Sequence, residues 1–214
     1  MKKSFLILLV CGAALGLLIV PSLSCVTSYE TTTTTPFGMT EDEIKAYIIA
    51  DCPLVKERLQ DILGDPSYEL TKAGFAAIRD WVTDNTDNIE YMSDEEQWGV
   101  DDYWQTPEEA LSLGTGDCED FGILLSSLLR AYGINEEHVY VALGVDDGGY
   151  GHAFLVENWY LDGEWRAVEL QAPTQVFPGP PKFNLVDAKL DDFEIIVGFN
   201  DVYYHDESFP WDDN

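Results

Sequence analysis

An α+β fold, with N-terminal helices followed by an antiparallel sheet, is what this sequence predicts, and three observations predict it. Between residues 40 and 133 apolar side chains recur at helical spacing. After Asn135 they fall instead in short runs rich in β-branched and aromatic residues. The change of period occurs once, so helices and strands are segregated along the chain rather than alternating.

The helices come first. Thr40, followed by Glu41 and Glu43, places an N-cap and first-turn acids ahead of Ile44, Tyr47 and Ile48. A second helix is expected after Pro53, through Leu54, Leu59, Ile62 and Leu63, with a stop at Gly64-Asp65-Pro66. A third is expected over Thr71–Thr83, where Phe75, Ile78, Trp81 and Val82 share a face. The acid-rich stretch Asp84–Asp102 reads as an exposed loop around Ile89-Glu90-Tyr91. The central helix is expected from Cys118 to Gly133, because Phe121, Leu124, Leu125, Leu128, Leu129 and Tyr132 form one continuous stripe. Cys118 lies on that stripe at its first turn. Strands are then expected at His138–Val145, at Gly151–Leu161 and Glu164–Leu170 around the hairpin dipeptide Asp162-Gly163, at Phe193–Phe199 and at Val202–Tyr204. Pro173–Lys182 reads as a proline-rich crossing loop.

A chain of 214 residues suits one domain plus an export segment. Apolar residues make up 46% and aromatics 13%, enough for a packed core, so the formal charge of −29 belongs to the surface. Such a surface repels phosphate, and nucleic acid is not an expected partner. Lys2 and Lys3, the apolar run Phe5–Val20, Pro21 and then Ser22-Leu23-Ser24 before Cys25 read as a signal peptide over residues 1–24. Ordinary cleavage and lipidation of Cys25 both remain open, as does an uncleaved anchor, although the run falls short of the ~20 residues needed to span a bilayer. All three place the domain outside the cytoplasm, secreted or at the cell surface, touching membrane only through its signal or a lipid anchor. Residues 25–38, with Thr31–Thr35 and Pro36, read as a polar tether, and 39–214 as the domain.

The chemistry centres on Cys118. A cysteine at a helix N-terminus meets unpaired N–H groups and the positive end of the helix dipole, both of which favour thiolate. Gly114 and Gly116 would let the chain turn tightly into that helix. His152 opens a strand, and its small neighbours Gly149, Gly151 and Ala153 would let an imidazole approach a thiol. Glu169, between apolar Val168 and Leu170, is the candidate to orient the imidazole, with Asn158 and Gln171 as alternatives. A buried structural cysteine is the bland reading of Cys118, and Cys52 is expected to be one.

Tyr103-Trp104-Gln105-Thr106-Pro107-Glu108-Glu109, then Gly114-Thr-Gly-Asp-Cys118-Glu-Asp-Phe121, Gly151-His-Ala-Phe154, and Trp165 before Val168-Glu169 together resemble the transglutaminase-like superfamily. The resemblance implies a papain-like core whose Cys-His-acid series performs acyl transfer: Cys118 as nucleophile, His152 as base and Glu169 where the family usually has Asp. It also implies that Trp104, in the setting of a tryptophan that helps hold the oxyanion in animal transglutaminases, either serves there or packs in the core. From Asp102-Tyr-Trp104 through Phe121 the chain is most similar to the bacterial transglutaminase-like cysteine proteinases, periplasmic enzymes that cleave surface adhesins and use calcium. That implies calcium at Asp117 and Glu119, with Asp120 as a further ligand; water-exposed helix-capping acids are the alternative. The resulting expectation is an extracytoplasmic cysteine peptidase acting on protein or peptide substrates, cell-surface proteins among them, with water as acyl acceptor and no cofactor beyond Ca2+. Two alternatives stay open: a non-catalytic acidic surface lipoprotein binding calcium or a protein partner, and a cross-linking transglutaminase.

Overall fold

The Thr40 cap forms a reciprocal pair. Thr40 Oγ1 accepts the Glu43 N–H at 3.2 Å and Glu43 Oε2 accepts the Thr40 N–H at 2.8 Å, opening α1 (Glu41–Lys45). The structure is a computed structural model that describes residues 35–65, 67, 69–83, 88–146, 151–160, 163–168, 170 and 193–211. The expected signal peptide, most of the tether, Gly149, Asp162, Glu169, Gln171 and the proline-rich loop lie outside the described residues. All the described residues belong to one compact unit within Thr33–Asn214. Residues 35–38, which composition assigns to the tether, form a turn whose Phe37 packs against the core.

Helix α2 (Pro53–Leu63) begins with proline, whose missing N–H costs nothing there, and ends on Gly64 at φ +71°. Helix α3 (Lys72–Thr83) buries Phe75, Ile78 and Val82 as its spacing predicts. The stretch expected to be an exposed loop is more ordered than that. Its two-residue strand β1 (Glu90–Tyr91) is followed by α4 (Asp94–Gln97), capped by Ser93, and Asp94 is buried. Helix α5 (Pro107–Leu113) is too short to show a period, and its sequence signal is the capping pair Thr106 and Glu109. Strand β2 (Thr115–Gly116) pairs in parallel with β1, Glu90 opposite Thr115 and Tyr91 opposite Gly116.

Helix α6 (Cys118–Tyr132) is the centre of the unit. The predicted stripe is buried, and so are Ile123, Ser126 and Ser127 on the other faces. The extra burial arises because α2, α3 and α5 pack on one side of the helix and the sheet on the other. Each buried leucine contributes on the order of 1.5–3 kcal/mol. Ser127 Oγ meets its need for a partner by accepting the Ile49 N–H at 3.0 Å. At the far end Arg130 holds Asp201 through Nε at 2.7 Å and Nη2 at 3.0 Å, tying the helix to the end of the sheet.

The sheet has the order β5-β4-β3-β6-β7 and is antiparallel throughout. Its strands are β3 (Val139–Asp146), β4 (Gly151–Glu157), β5 (Arg166–Val168), β6 (Phe193–Phe199) and β7 (Tyr204–His205). Alternation along each strand builds two layers. Val141, Leu143, Ala153, Leu155 and Val168 join the α6 core, while Tyr140, Ala142, Phe154, Val156 and Ala167 form a second cluster roofed by Trp211. Trp211 lies so close to β6 that a Cβ at Gly198 would come within 2.7 Å of its ring.

Glu157, at the end of β4, is fully buried. Its Oε2 accepts the Tyr160 N–H at 2.7 Å, whereas Oε1 has no partner among the described residues. Burial raises the carboxyl above its ordinary value, against the opposing pull of the Tyr160 and Trp159 N–H groups and of Arg166 and Arg79. An acid whose folded pKa is raised contributes stability that is complete below its unfolded pKa and is lost as pH climbs through the folded one. Glu157→Gln removes that loss. In urea titrations the variant should gain on the wild type as pH rises from 4.5 to 8, and a pH-independent difference would contradict the burial effect.

Candidate active site

Cys118 is placed by a run of short devices. Gly114 ends α5 in the left-handed region at φ +69°, β2 anchors the chain to β1, and Asp117 stands as the N-cap of α6. Gly116 serves differently from the expected tight turn. A Cβ there would sit 2.8 Å from the Asp120 Cβ, so glycine leaves the room that Asp120 needs. The nucleophile candidate thus lies in the first turn of a buried helix, half-buried itself. Cys52, the other free thiol among the described residues, is buried at the start of α2.

His152 lies in β4 opposite Gly144 of β3. Gly144 is where the β3–β6 register shifts, and a Cβ there would come within 2.7 Å of the Glu194 carbonyl oxygen. Cys118 and His152 open onto one cavity of about 340 Å³, and the backbone N–H of Ala153, next to His152, faces the sulfur. The thiol donates to Glu119 Oε2 at 3.3 Å. Burial, then the charges of Glu119 and Asp117, raise the thiol well above its ordinary pKa, and the Ala153 N–H opposes them. Of the proposed orienters, Asn158 is committed elsewhere: its Oδ1 lies 2.5 Å from His138 Nδ1. Glu169 and Gln171 lie outside the described residues.

Trp104 lines the same cavity and is also core, 6% exposed. Rings of Phe37, Tyr47 and Phe199 surround it at centroid distances of 5.4, 5.5 and 5.8 Å. Its indole N–H is donated to Asp102 Oδ1 at 3.2 Å, so a role toward an oxyanion would require that bond to be exchanged.

Asp120 is a brace. Its Oδ1 accepts the Gln105 N–H at 2.7 Å, and its Oδ2 accepts Gln105 Nε2 at 2.6 Å and the Asp117 N–H at 3.2 Å. Its ligand oxygen also gathers with those of Asp94 and Asp117 within 4.8 Å, so the residue expected as a further ligand stands in the acid cluster while it braces the loop. Asp117 and Glu119 also meet two residues that spacing did not single out: Asp94 gathers with Asp117 and Asp120, and with Asp102 and Glu119, the ligand atoms of each group lying within 4.8 Å of one another. Both were hidden in a stretch read as a solvated loop, although Asp102 heads the Asp102-Tyr103-Trp104 segment. Burial pushes Glu119 up to about 10, with help from Asp117 and Asp120, and Asp120 up to about 7. Asp94 and Asp117 are raised too, again chiefly by burial. Asp117 Oδ1 is buried without a partner among the described residues. An orphaned oxygen within a crowd of hard oxygen donors fits a divalent cation such as calcium.

The family described as bacterial transglutaminase-like cysteine proteinase BTLCP matches residues 52–161, a span that takes in Cys118 and His152 and stops before Glu169. No curated protein matches the chain. Among solved structures, Legionella pneumophila LapG is 20% identical at a TM-score of 0.49, over 74% of this chain and 80% of that one. Its calcium-bound form is 19% identical at 0.46, over 74% and 96%. A putative cysteine protease from Cytophaga hutchinsonii is 18% identical at 0.45, over 78% of this chain and 50% of that one, so this chain spans half its length. With more than half of its residues in the family match, the chain belongs to the bacterial transglutaminase-like cysteine proteinases.

Proposed function

We propose that the protein is an extracytoplasmic cysteine peptidase that hydrolyses protein amide bonds through Cys118, with His152 as base and Glu169 orienting the imidazole. The observation that supports it most is the shared cavity: a cysteine in the first turn of α6 and a histidine at the start of β4 open onto one space. His152 takes the thiol proton, and Cys118 Sγ attacks the amide carbon. First-turn N–H groups of α6, which have no intrahelical acceptor, face the developing oxyanion. The C–N bond then breaks as His152 returns the proton to the leaving amine. Water, deprotonated by His152, attacks the thioester and releases the carboxylate. The export signal at residues 1–24, with Cys25 behind it, supports a location at the cell surface or beyond, lipid-anchored or free.

Asp117, Glu119 and Asp120, with Asp94 and Asp102 from the overlapping groups, would hold calcium. When bound, it supplies positive charge that offsets the carboxylates around Cys118 and favours thiolate. The calcium-bound state of LapG is a property of that protein, and the orphaned Asp117 oxygen is what supports the same ion here.

Labelling with iodoacetamide tests the nucleophile. At neutral pH with calcium, Cys118 should react and Cys52 should not, and His152→Ala should slow peptide hydrolysis by about 10²–10⁴-fold. Equal reactivity of the two cysteines, with and without calcium, would sink the enzyme reading. Thermal melts test the ion separately. Calcium at a hundred times its Kd should add about 2.7 kcal/mol of stability, and Asp94→Asn with Asp102→Asn should remove most of that gain. A melting temperature that ignores calcium would exclude a site there.

A further inference from the structure

We infer that Gln105 is a positioning residue for the calcium proposed at the acid group, its side-chain amide holding the Asp120 carboxylate in the orientation the ion requires and so setting how tightly the ion binds. The inference rests on that calcium reading and adds an uncharged residue to it. Gln105 is fully buried. Its backbone N–H is donated to Asp120 Oδ1 at 2.7 Å and its Nε2 to Asp120 Oδ2 at 2.6 Å, so one residue grips both oxygens. The Asp117 N–H adds a donor to Oδ2 at 3.2 Å. A carboxylate offers about four lone-pair directions, and three donors leave roughly one for an ion.

Packing does not account for the amide. Gln105 Oε1 is buried with no partner among the described residues, and a further acceptor for Nε2, Gln97 Oε1, stands 3.5 Å away. A buried acceptor left unpaired is costly, and an apolar side chain of similar volume would fill the space without that cost. What the amide contributes is its donor. The backbone bond to Oδ1 would form with any residue but proline at 105, whereas the bond from Nε2 to Oδ2 depends on the side chain. Without it Oδ2 would keep the longer Asp117 contact, and the carboxylate would turn more freely under the repulsion of Asp94 and Asp117, whose ligand atoms gather with its own within 4.8 Å. Gly116 makes room for the same oxygen, since a Cβ there would stand 3.0 Å from Oδ2. Hydrogen bonds that orient a ligating carboxylate in this way set metal affinity by about 10–100-fold.

Calorimetric titration of calcium into the full chain tests the inference, with melting of the calcium-free chain measured beside it. Gln105→Met keeps the volume and the backbone bond and removes the side-chain donor. It should raise the calcium Kd by about 10–100-fold, and iodoacetamide labelling of Cys118 should return to the wild-type rate once calcium is saturating. Thr106→Ala removes the side-chain acceptor that caps α5 in the same segment and leaves Asp120 its donors. That variant should melt lower than the wild type and bind calcium with an unchanged Kd. Should Gln105→Met fail to fold by circular dichroism, Gln105→Asn, which draws the amide back by one methylene, carries the same expected rise. An unchanged Kd in the folded variant overturns the inference. So does an equal rise in Thr106→Ala, which would make Gln105 a support of the segment rather than an orienter of Asp120. If the wild-type chain binds no calcium, the calcium reading itself fails and the role of Gln105 falls with it.

Discussion

Asp120 lies one turn into the central helix, almost wholly buried, and its two oxygens accept N–H groups from the Gln105 backbone, the Gln105 amide and the Asp117 backbone. A buried carboxylate is costly unless it is hydrogen-bonded, and those donors are what make it tolerable. They also join the Tyr103–Thr106 segment to the helix N-terminus. Glycine at 116 gives Asp120 its room, Trp104 follows from where Gln105 is held, and Asp102 follows from Trp104. Cys118 sits inside that lattice of contacts, so the position of its sulfur depends on a residue two places away that need not touch substrate.

The same crowding sets up an electrostatic conflict. The helix N-terminus favours thiolate, yet Glu119 and Asp117 oppose it, and burial raises every acid in the group. The fold gathers Asp94, Asp102, Asp117, Glu119 and Asp120 in overlapping groups and leaves one buried Asp117 oxygen without a partner among the described residues. The calcium proposed there would ease that conflict, by pairing with the carboxylates and lowering their hold on the thiol. The acidity that composition reports as a surface property is, at this one place, a property of the site.

Much of the fold was legible from local patterns. The Thr40 box, the Gly64 stop, the α6 stripe and the run Phe193–Phe199 correspond to observed elements, because each is specified by neighbours within a few residues. Short elements were not legible. Helices α4 and α5 span about a turn or two, and β1 and β2 two residues each, too little for any period to show. The two strands exist through pairing with distant chain, Glu90 with Thr115 and Tyr91 with Gly116. That pairing turned the supposed loop into a wall of the site and delivered Asp94 and Asp102 to it.

From the sequence alone came the candidate nucleophile and base, since a cysteine at a helix start and a histidine among small residues, in a characteristic order, are local signals. The acid neighbours of Cys118 came the same way. The division of labour among them did not. That Asp120 also braces a loop, while Asp117 and Glu119 face their fellow acids, depends on what N–H groups the fold brings within 3 Å. The tertiary structure also decided that Phe37, in a segment read as tether, lines the cavity onto which Cys118 opens. The physical reason is common to both: a side chain's type is written in the sequence, but its partners are chosen by contacts between segments far apart along the chain.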